Sequence, residues 1–420
     1  MEPGIPAMPV PIPVPLPLPG ARVLMWKQDP SVPEINVRKT FLPGHVFPGP
    51  RDARLRNGTG MAALPSVSPN LMGDFIQTPG TAAFDSVHTF SVVRETLTMF
   101  QRALSNPCPW EWNNAHNVEP LSVYPHGLPD VMNAYYSRQE KALRFGDFVQ
   151  PGTTPPQHIY TCRSFDIVAH ETGHAVLDGM KPAWLGFNNP PQTGGLHESF
   201  GDLTAIFLAL SQLDQVEAVV AQTKANLHDK TFLADLAEQF GLSLGRPNGL
   251  RNADNDLKLS EVGSEVHALS QVFTGAIYDI LADIFRFEQR PIQRDDSAVL
   301  YEAGKYLCGL VIRAFRAAPN SAATFADVAN QLLILAAADG KPTEYRNFIR
   351  NRFTLREVLV SPTPLSESHI AGQYLAANIQ DPPGVLQNCE GCCGTMNHFE
   401  YSGAEQSMWE ELEELKKSRG

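Results

Sequence analysis

SFDIVAHETGHAVLDGM, residues 164–180, is the stretch on which the reading of this chain turns. It places His170 and His174 four residues apart, with Glu171 between them, in H-E-x-x-H spacing. On a helix, residues four apart lie one turn apart on the same face, so both imidazoles reach a single Zn²⁺ while Glu171 sits beside the metal's open position. The bland alternative is two surface histidines on an ordinary helix. Val168, Ala169, Ala175, Val176 and Leu177 argue against it, because they wrap the motif in small and apolar side chains, as in a helix buried at the base of a cleft.

Two histidines make half a tetrahedral site, so a third protein ligand has to follow, leaving the fourth position to water. GGLHESFGDL, residues 194–203, supplies Glu198, with Asp202 one helical turn further on. A carboxylate at 202 is placed to accept a hydrogen bond from the non-ligating nitrogen of one histidine, fixing its tautomer and raising its basicity.

Outward from this core, the chain changes character twice. Residues 31–80 are rich in Pro, Gly and Asn (LPGHVFPGPRDARLRNGTG at 42–60), which predicts short strands and turns. From Asp85 to Leu104, the apolar positions Val87, Phe90, Val93, Leu97, Phe100 and Leu104 recur at three- and four-residue steps and predict a helix. AYYSRQEKALRFGDF, residues 134–148, has aromatic and β-favouring runs around a polar turn and predicts a hairpin. After Ser164 the pattern is mostly helical, with helices expected over 166–180, 196–214, 215–228, 231–240, 265–286, 298–317, 322–338 and 344–357. Gly and Pro clusters at 186–195 and 241–250 are the expected breaks. The chain then divides into a Pro-rich extended arm (1–30), an α/β N-terminal lobe ending in the H-E-x-x-H helix (31–180), a helical C-terminal lobe (181–380) and a Cys-containing acidic tail (381–420).

Residues 166–202 resemble the thermolysin-like branch of the gluzincin metallopeptidases, in which an H-E-x-x-H helix precedes a helix carrying E-x-x-x-D. Three further segments fit in family order. Asn133, Ala134, Tyr135 and Tyr136, followed by LRFGDF (143–148), are similar to the edge-strand hairpin that pairs with the substrate backbone. GLRNADNDL (249–257) resembles the substrate-binding arginine segment and points to Arg251, and EVHALSQVFTGAIYDI (265–280) resembles the segment of the catalytic histidine and points to His267. The resemblance spans roughly residues 85–290 and implies an α+β, two-lobed zincin: a mixed α/β N-terminal lobe, a mainly helical C-terminal lobe, and the active-site helix at the base of the cleft between them.

It also implies zinc held by His170, His174 and Glu198, with Glu171 as general base, His267 stabilising the tetrahedral intermediate, Asp202 behind a ligand, and Arg251, Asn133 and Ala134 binding a peptide substrate. The departures are specific. Twenty-three residues separate His174 from Glu198, a few more than is usual, and the loop WLGFNNPPQTGG (184–195) lacks the family's transition-state tyrosine: either Trp184 or Asn189 substitutes or the role is unfilled, and no residue is assigned to it. His197 stands where the family usually has Asn and competes as a ligand, although Asp202 follows in register with Glu198. Either Glu261 or Glu265 is available to orient His267. Calcium is not expected at the family's paired site, since Ala209 fills one of its positions.

Composition narrows the function from outside. The 420 residues carry 33 Lys and Arg against 45 Asp and Glu, a net charge of −12 with no sustained basic run, which argues against nucleic acid and anionic membrane surfaces as partners. No uncharged apolar stretch reaches the roughly 18–20 residues of a membrane span. Eight of the 35 prolines fall in residues 1–20 (PGIPAMPVPIPVPLPLPG from Pro3), and with Glu2 in place of a basic start this is not an ordinary secretory signal. It reads as a disordered or polyproline II arm, with an aromatic groove as its possible docking partner. Localisation is then cytoplasmic or exported by a specialised route, as a toxin or effector is. Asn57 in N-G-T is no glycan site without a secretory setting. Cys389, Cys392, Cys393 and His398 (CEGCCGTMNH) are better read as tail thiols or a disulfide than as a metal site, and Cys108, Cys162 and Cys308 as buried small apolar residues. Asp166 and Asp178 read as capping or packing residues. The leading function is a zinc-dependent endopeptidase, and the alternative is a catalytically inactive binding or scaffold protein on the same frame; no G-x-M-E-N exopeptidase motif is present.

Overall fold

The computed structural model describes residues 20–359 apart from 151, 187, 188 and 247. Residues 1–19 of the expected 1–30 arm and the cysteine-containing tail, with the readings made of them, lie outside the described residues, whereas Gly20–Trp26 of that arm form a strand paired with Val37–Pro43.

Nine strands and nine helices succeed one another among the described residues: β1 (Gly20–Trp26), β2 (Val37–Pro43), β3 (Leu55–Asn57), α1 (Ala82–Leu104), β4 (Leu121–Leu128), β5 (Ala134–Ser137), β6 (Ala142–Val149), β7 (His158–Tyr160), α2 (Phe165–Met180), α3 (Pro191–Leu210), α4 (Leu213–Thr223), β8 (Asp235–Leu236), α5 (Glu238–Ser243), β9 (Arg251–Asn252), α6 (Val266–Glu288), α7 (Asp296–Ala317), α8 (Phe325–Ala338) and α9 (Thr343–Leu355). The chain is thus mixed α and β, with a sheet-containing region before α2 and a helical region after it. One sheet runs β3-β4-β6-β5 with β7 also on β6, so β5 is an edge strand. The expected hairpin is β5 against β6, antiparallel, with Ala134 opposite Phe145 and Ser137 opposite Ala142.

The motif helix α2 starts as its sequence dictates: Ser164, in extended conformation, caps it through its side chain, which accepts from the Ile167 amide. Every residue of its neighbour α3 is buried, the polar His197, Glu198 and Asp202 among them. α2 and α6 pack against α3, and the buried apolar side chains form one connected cluster from Ala21 to Leu359. α6 is long and apolar enough to cross a bilayer by length and composition, but most of it is buried against α3, α7 and α9.

Three expected boundaries differ. The break placed at 186–195 ends earlier, because α3 begins at Pro191, whose fixed φ and missing N–H suit a first helical turn. Gly195 belongs inside that helix: a Cβ there would stand 2.9 Å from Leu269 Cβ and 3.0 Å from the Phe325 ring. Gly195→Ala is expected to cost about 1–3 kcal/mol by overpacking, read as a lowered denaturation midpoint with unchanged m-value. The helix expected over 215–228 stops at Thr223, where Lys224 turns left-handed at φ 50°. The helix expected over 231–240 is instead β8 followed by α5, divided by Ala237 at φ 52°; pairing of Leu236 with Arg251 outweighs the local helical spacing.

Candidate metal centre

α2 and α3 bring the predicted ligands together. His170, His174 and Glu198 are 4%, 0% and 0% exposed, and one ligand atom from each lies within 4.8 Å of the others. His170 Nε2 is 3.4 Å from Glu198 Oε2, and His174 Nε2 is 3.5 Å from Glu198 Oε1. The helices approach this closely through two glycines. A Cβ on Gly173 would meet Thr204 Oγ1 at 2.6 Å, and one on Gly201 would enter the His170 imidazole at 2.6 Å. Gly201→Ala is therefore expected to displace His170 and weaken zinc binding by at least about tenfold, measured by chelator competition.

Around the trio, each nitrogen not aimed at Glu198 is held by a neighbour. His170 Nδ1 lies 3.0 Å from Asp202 Oδ1, as the sequence predicts. Asp202 is clamped in turn by Arg251, whose Nη2 donates to Oδ1 at 2.6 Å and whose Nε lies 3.1 Å from both oxygens. The β8–β9 pairing delivers Arg251 to that carboxylate, and the guanidinium is itself buried. His174 Nδ1 meets His197 Nδ1 at 2.7 Å. His197, the competing candidate, is not in the trio: its Nδ1 faces His174 Nδ1.

His267, on the first turn of α6, turns its Nε2 to Glu198 Oε2 at 3.2 Å and its Nδ1 to Glu265 Oε1 at 2.7 Å. Glu265 also caps α6, accepting from the His267 and Ala268 amides, so of the two candidate carboxylates it is Glu265 that holds His267. Glu261 instead accepts from the Lys258 amide. Glu171 is buried beside His170 on the wall of a small cavity with Ile167, Ala205, Leu236, Ala237 and Arg251. The two tyrosine substitutes are occupied elsewhere: the Trp184 indole donates to Pro319 O at 3.0 Å, and the Asn189 amide donates to the Ala183, Trp184 and Gly186 carbonyls.

The hairpin lies along the motif helix through Tyr136, whose hydroxyl donates to Asp178 Oδ2 at 2.7 Å, and through Arg138, which pairs with the same carboxylate. Asp178 is thus a packing residue, as expected. Asn133 is buried just before β5, where its Oδ1 accepts from the Ala134 amide at 2.8 Å.

Electrostatics favours the protonation pattern a metal needs. Burial drives His174 well below the usual histidine value and leaves it neutral. Burial alone would raise Glu198, but the facing imidazoles of His267, His174 and His170 outweigh it and hold the carboxylate well below its ordinary range. Burial likewise raises Asp202, and Arg251 with His170 reverses it. Two neutral-capable nitrogens and one ionised oxygen, all enclosed, are a donor set suited to Zn²⁺. Both Glu198 oxygens are buried without a well-formed hydrogen bond, which leaves them available to a cation.

The sequence did not point to a second group of acids beside this centre. Asp29, Asp166 and Glu238 converge near the start of α2, with Asp29 Oδ1 accepting from Ser31 and Gln239 amides and Asp166 Oδ2 from Ala237. Burial first, then the charges of Asp29 and Asp166, push Glu238 up to about 10. A raised folded-state value means the native protein binds a proton that the unfolded chain, near 4.5, has already released, so this group's stabilisation is full in acid and is lost as pH rises toward about 10. Glu238→Gln is expected to raise the melting temperature at pH 8 by a few degrees, on the order of 1–2 kcal/mol, and to flatten the fall in stability between pH 5 and 9.

No family model matches this chain, and no curated protein does. Among solved structures, the precursor of protealysin, a metalloproteinase from Serratia proteamaculans, is similar at 16% identity and a TM-score of 0.43, over 69% of this chain and 84% of that one.

Proposed function

We propose that the chain is a zinc-dependent endopeptidase of the two-lobed thermolysin-like architecture, with α2 at the base of its cleft. One observation carries the reading: His170, His174 and Glu198 converge in the core with Glu171 and His267 at their edge and with Asp202 behind His170.

His170, His174 and Glu198 would hold a Zn²⁺, which would lower the pKa of a water and polarise the scissile carbonyl. Glu171 removes the proton of the attacking water and passes it to the leaving amine. His267, with a carboxylate facing each ring nitrogen, is placed to carry an N–H at Nε2 and to donate it to the developing oxyanion. Asp202 keeps His170 in its Nδ1–H tautomer. Arg251 holds Asp202 and, in this reading, binds a substrate carbonyl, while Asn133 and the Ala134 backbone, at the edge of the sheet, hold the substrate chain extended.

Incubating the protein with a mixed peptide library tests this reading. Internal cleavage that is lost on chelation and restored by zinc is the expected result. A protein that binds zinc and cleaves nothing would instead be the inactive binding or scaffold form.

A further inference from the structure

We infer that His197 is a positioning residue for the metal centre: it accepts the Nδ1–H of His174 and thereby fixes the tautomer in which His174 Nε2 faces Glu198. This inference rests on the metal-site reading above.

His174 Nδ1 and His197 Nδ1 are 2.7 Å apart, both residues are 0% exposed, and their ring planes differ by only 29° with centroids 4.8 Å apart. The rings therefore meet nitrogen to nitrogen, nearly in one plane, in hydrogen-bond geometry and not face to face. Such a contact needs one donor and one acceptor. Two N–H groups cannot face each other at 2.7 Å, so at least one of the two Nδ1 atoms carries no proton. A ligating His174 presents its Nε2 lone pair, and its one proton then sits on Nδ1. His197 Nδ1 has to accept, which places the His197 proton on Nε2.

That Nε2 is buried, and among the described residues nothing pairs with it. An unsatisfied buried N–H typically costs about 1–3 kcal/mol, so the arrangement persists against a local penalty. His197 has no role in the core that an apolar side chain would not fill better; its use lies in the acceptor it turns to His174. The two ligating histidines are thereby oriented by different chemistry, His170 by an ionised carboxylate at Asp202 and His174 by a neutral imidazole. A neutral acceptor donates less electron density through the ring, leaving the bound cation a stronger Lewis acid than two carboxylates would.

The test uses the full chain loaded with Zn²⁺. Histidine ¹⁵N NMR is expected to show His174 protonated at Nδ1 and His197 at Nε2. Zinc affinity by chelator competition is expected to fall about 10–100-fold in His197→Leu and to recover in His197→Asn, whose side-chain oxygen accepts in the same direction. A zinc-loaded wild type with His197 Nδ1 protonated, or His197 metal-bound, overturns the inference, as does unchanged affinity in His197→Leu. If His197→Leu does not fold, the NMR assignment on the wild type still decides. A wild type that binds no zinc overturns the metal-site reading itself, and the inference with it.

Discussion

Glu171→Gln is expected to bind one zinc ion with wild-type affinity and to lose peptide turnover by roughly 10²–10⁴-fold, the usual contribution of a positioned general base. The substitution is nearly isosteric, and Glu171 is not one of the three grouped candidate ligands, His170, His174 and Glu198. Fold and metal content should therefore survive, and the loss should appear in kcat more than in KM, since the proton transfer belongs to the transition state. Metal analysis and steady-state kinetics on the same preparation check both halves. Full turnover in the glutamine variant would remove Glu171 from the chemistry.

Glu198→Ala is expected to have the largest effect on the metal. Structural zinc sites bind with roughly 10–16 kcal/mol over four ligands, about 3 kcal/mol for each, so losing one should weaken affinity by at least ~10²-fold. The change also strips the anion faced by His170, His174 and His267, and it opens space in a fully buried helix. Metal-free stability should consequently fall by about 2–4 kcal/mol. Chelator competition and denaturant unfolding separate the two losses. A variant that retained wild-type zinc affinity would shift the ligand role to another residue.

What sequence made legible was chemistry fixed by short-range spacing. The i, i+4 pair of histidines and the Glu198 to Asp202 turn needed only helical geometry, and the structure brings all four together. Segments whose conformation depends on distant partners were read less well. Residues 231–240 have helical spacing, yet Leu236 pairs with Arg251, a contact no local window contains. Gly195 resembled a linker because a glycine demanded by a neighbouring helix looks the same, in one dimension, as a glycine in a loop. The choice between Glu261 and Glu265 needed the cap of α6, and the acids meeting Asp166 come from Asp29 and Glu238, far away along the chain.

The total burial of α3 bears on how this protein can change over generations. The helix carries Glu198, Asp202, His197 and the glycine that admits His170, and it offers no exposed face on which substitutions are cheap. Mutational tolerance must therefore be low along its whole length, for packing and for reactivity alike. On the proposed function, freedom to alter which peptides are cut falls to segments outside α3, such as Leu236 and Arg251, which line the cavity beside His170. New specificities should arise there, while α3 stays nearly invariant.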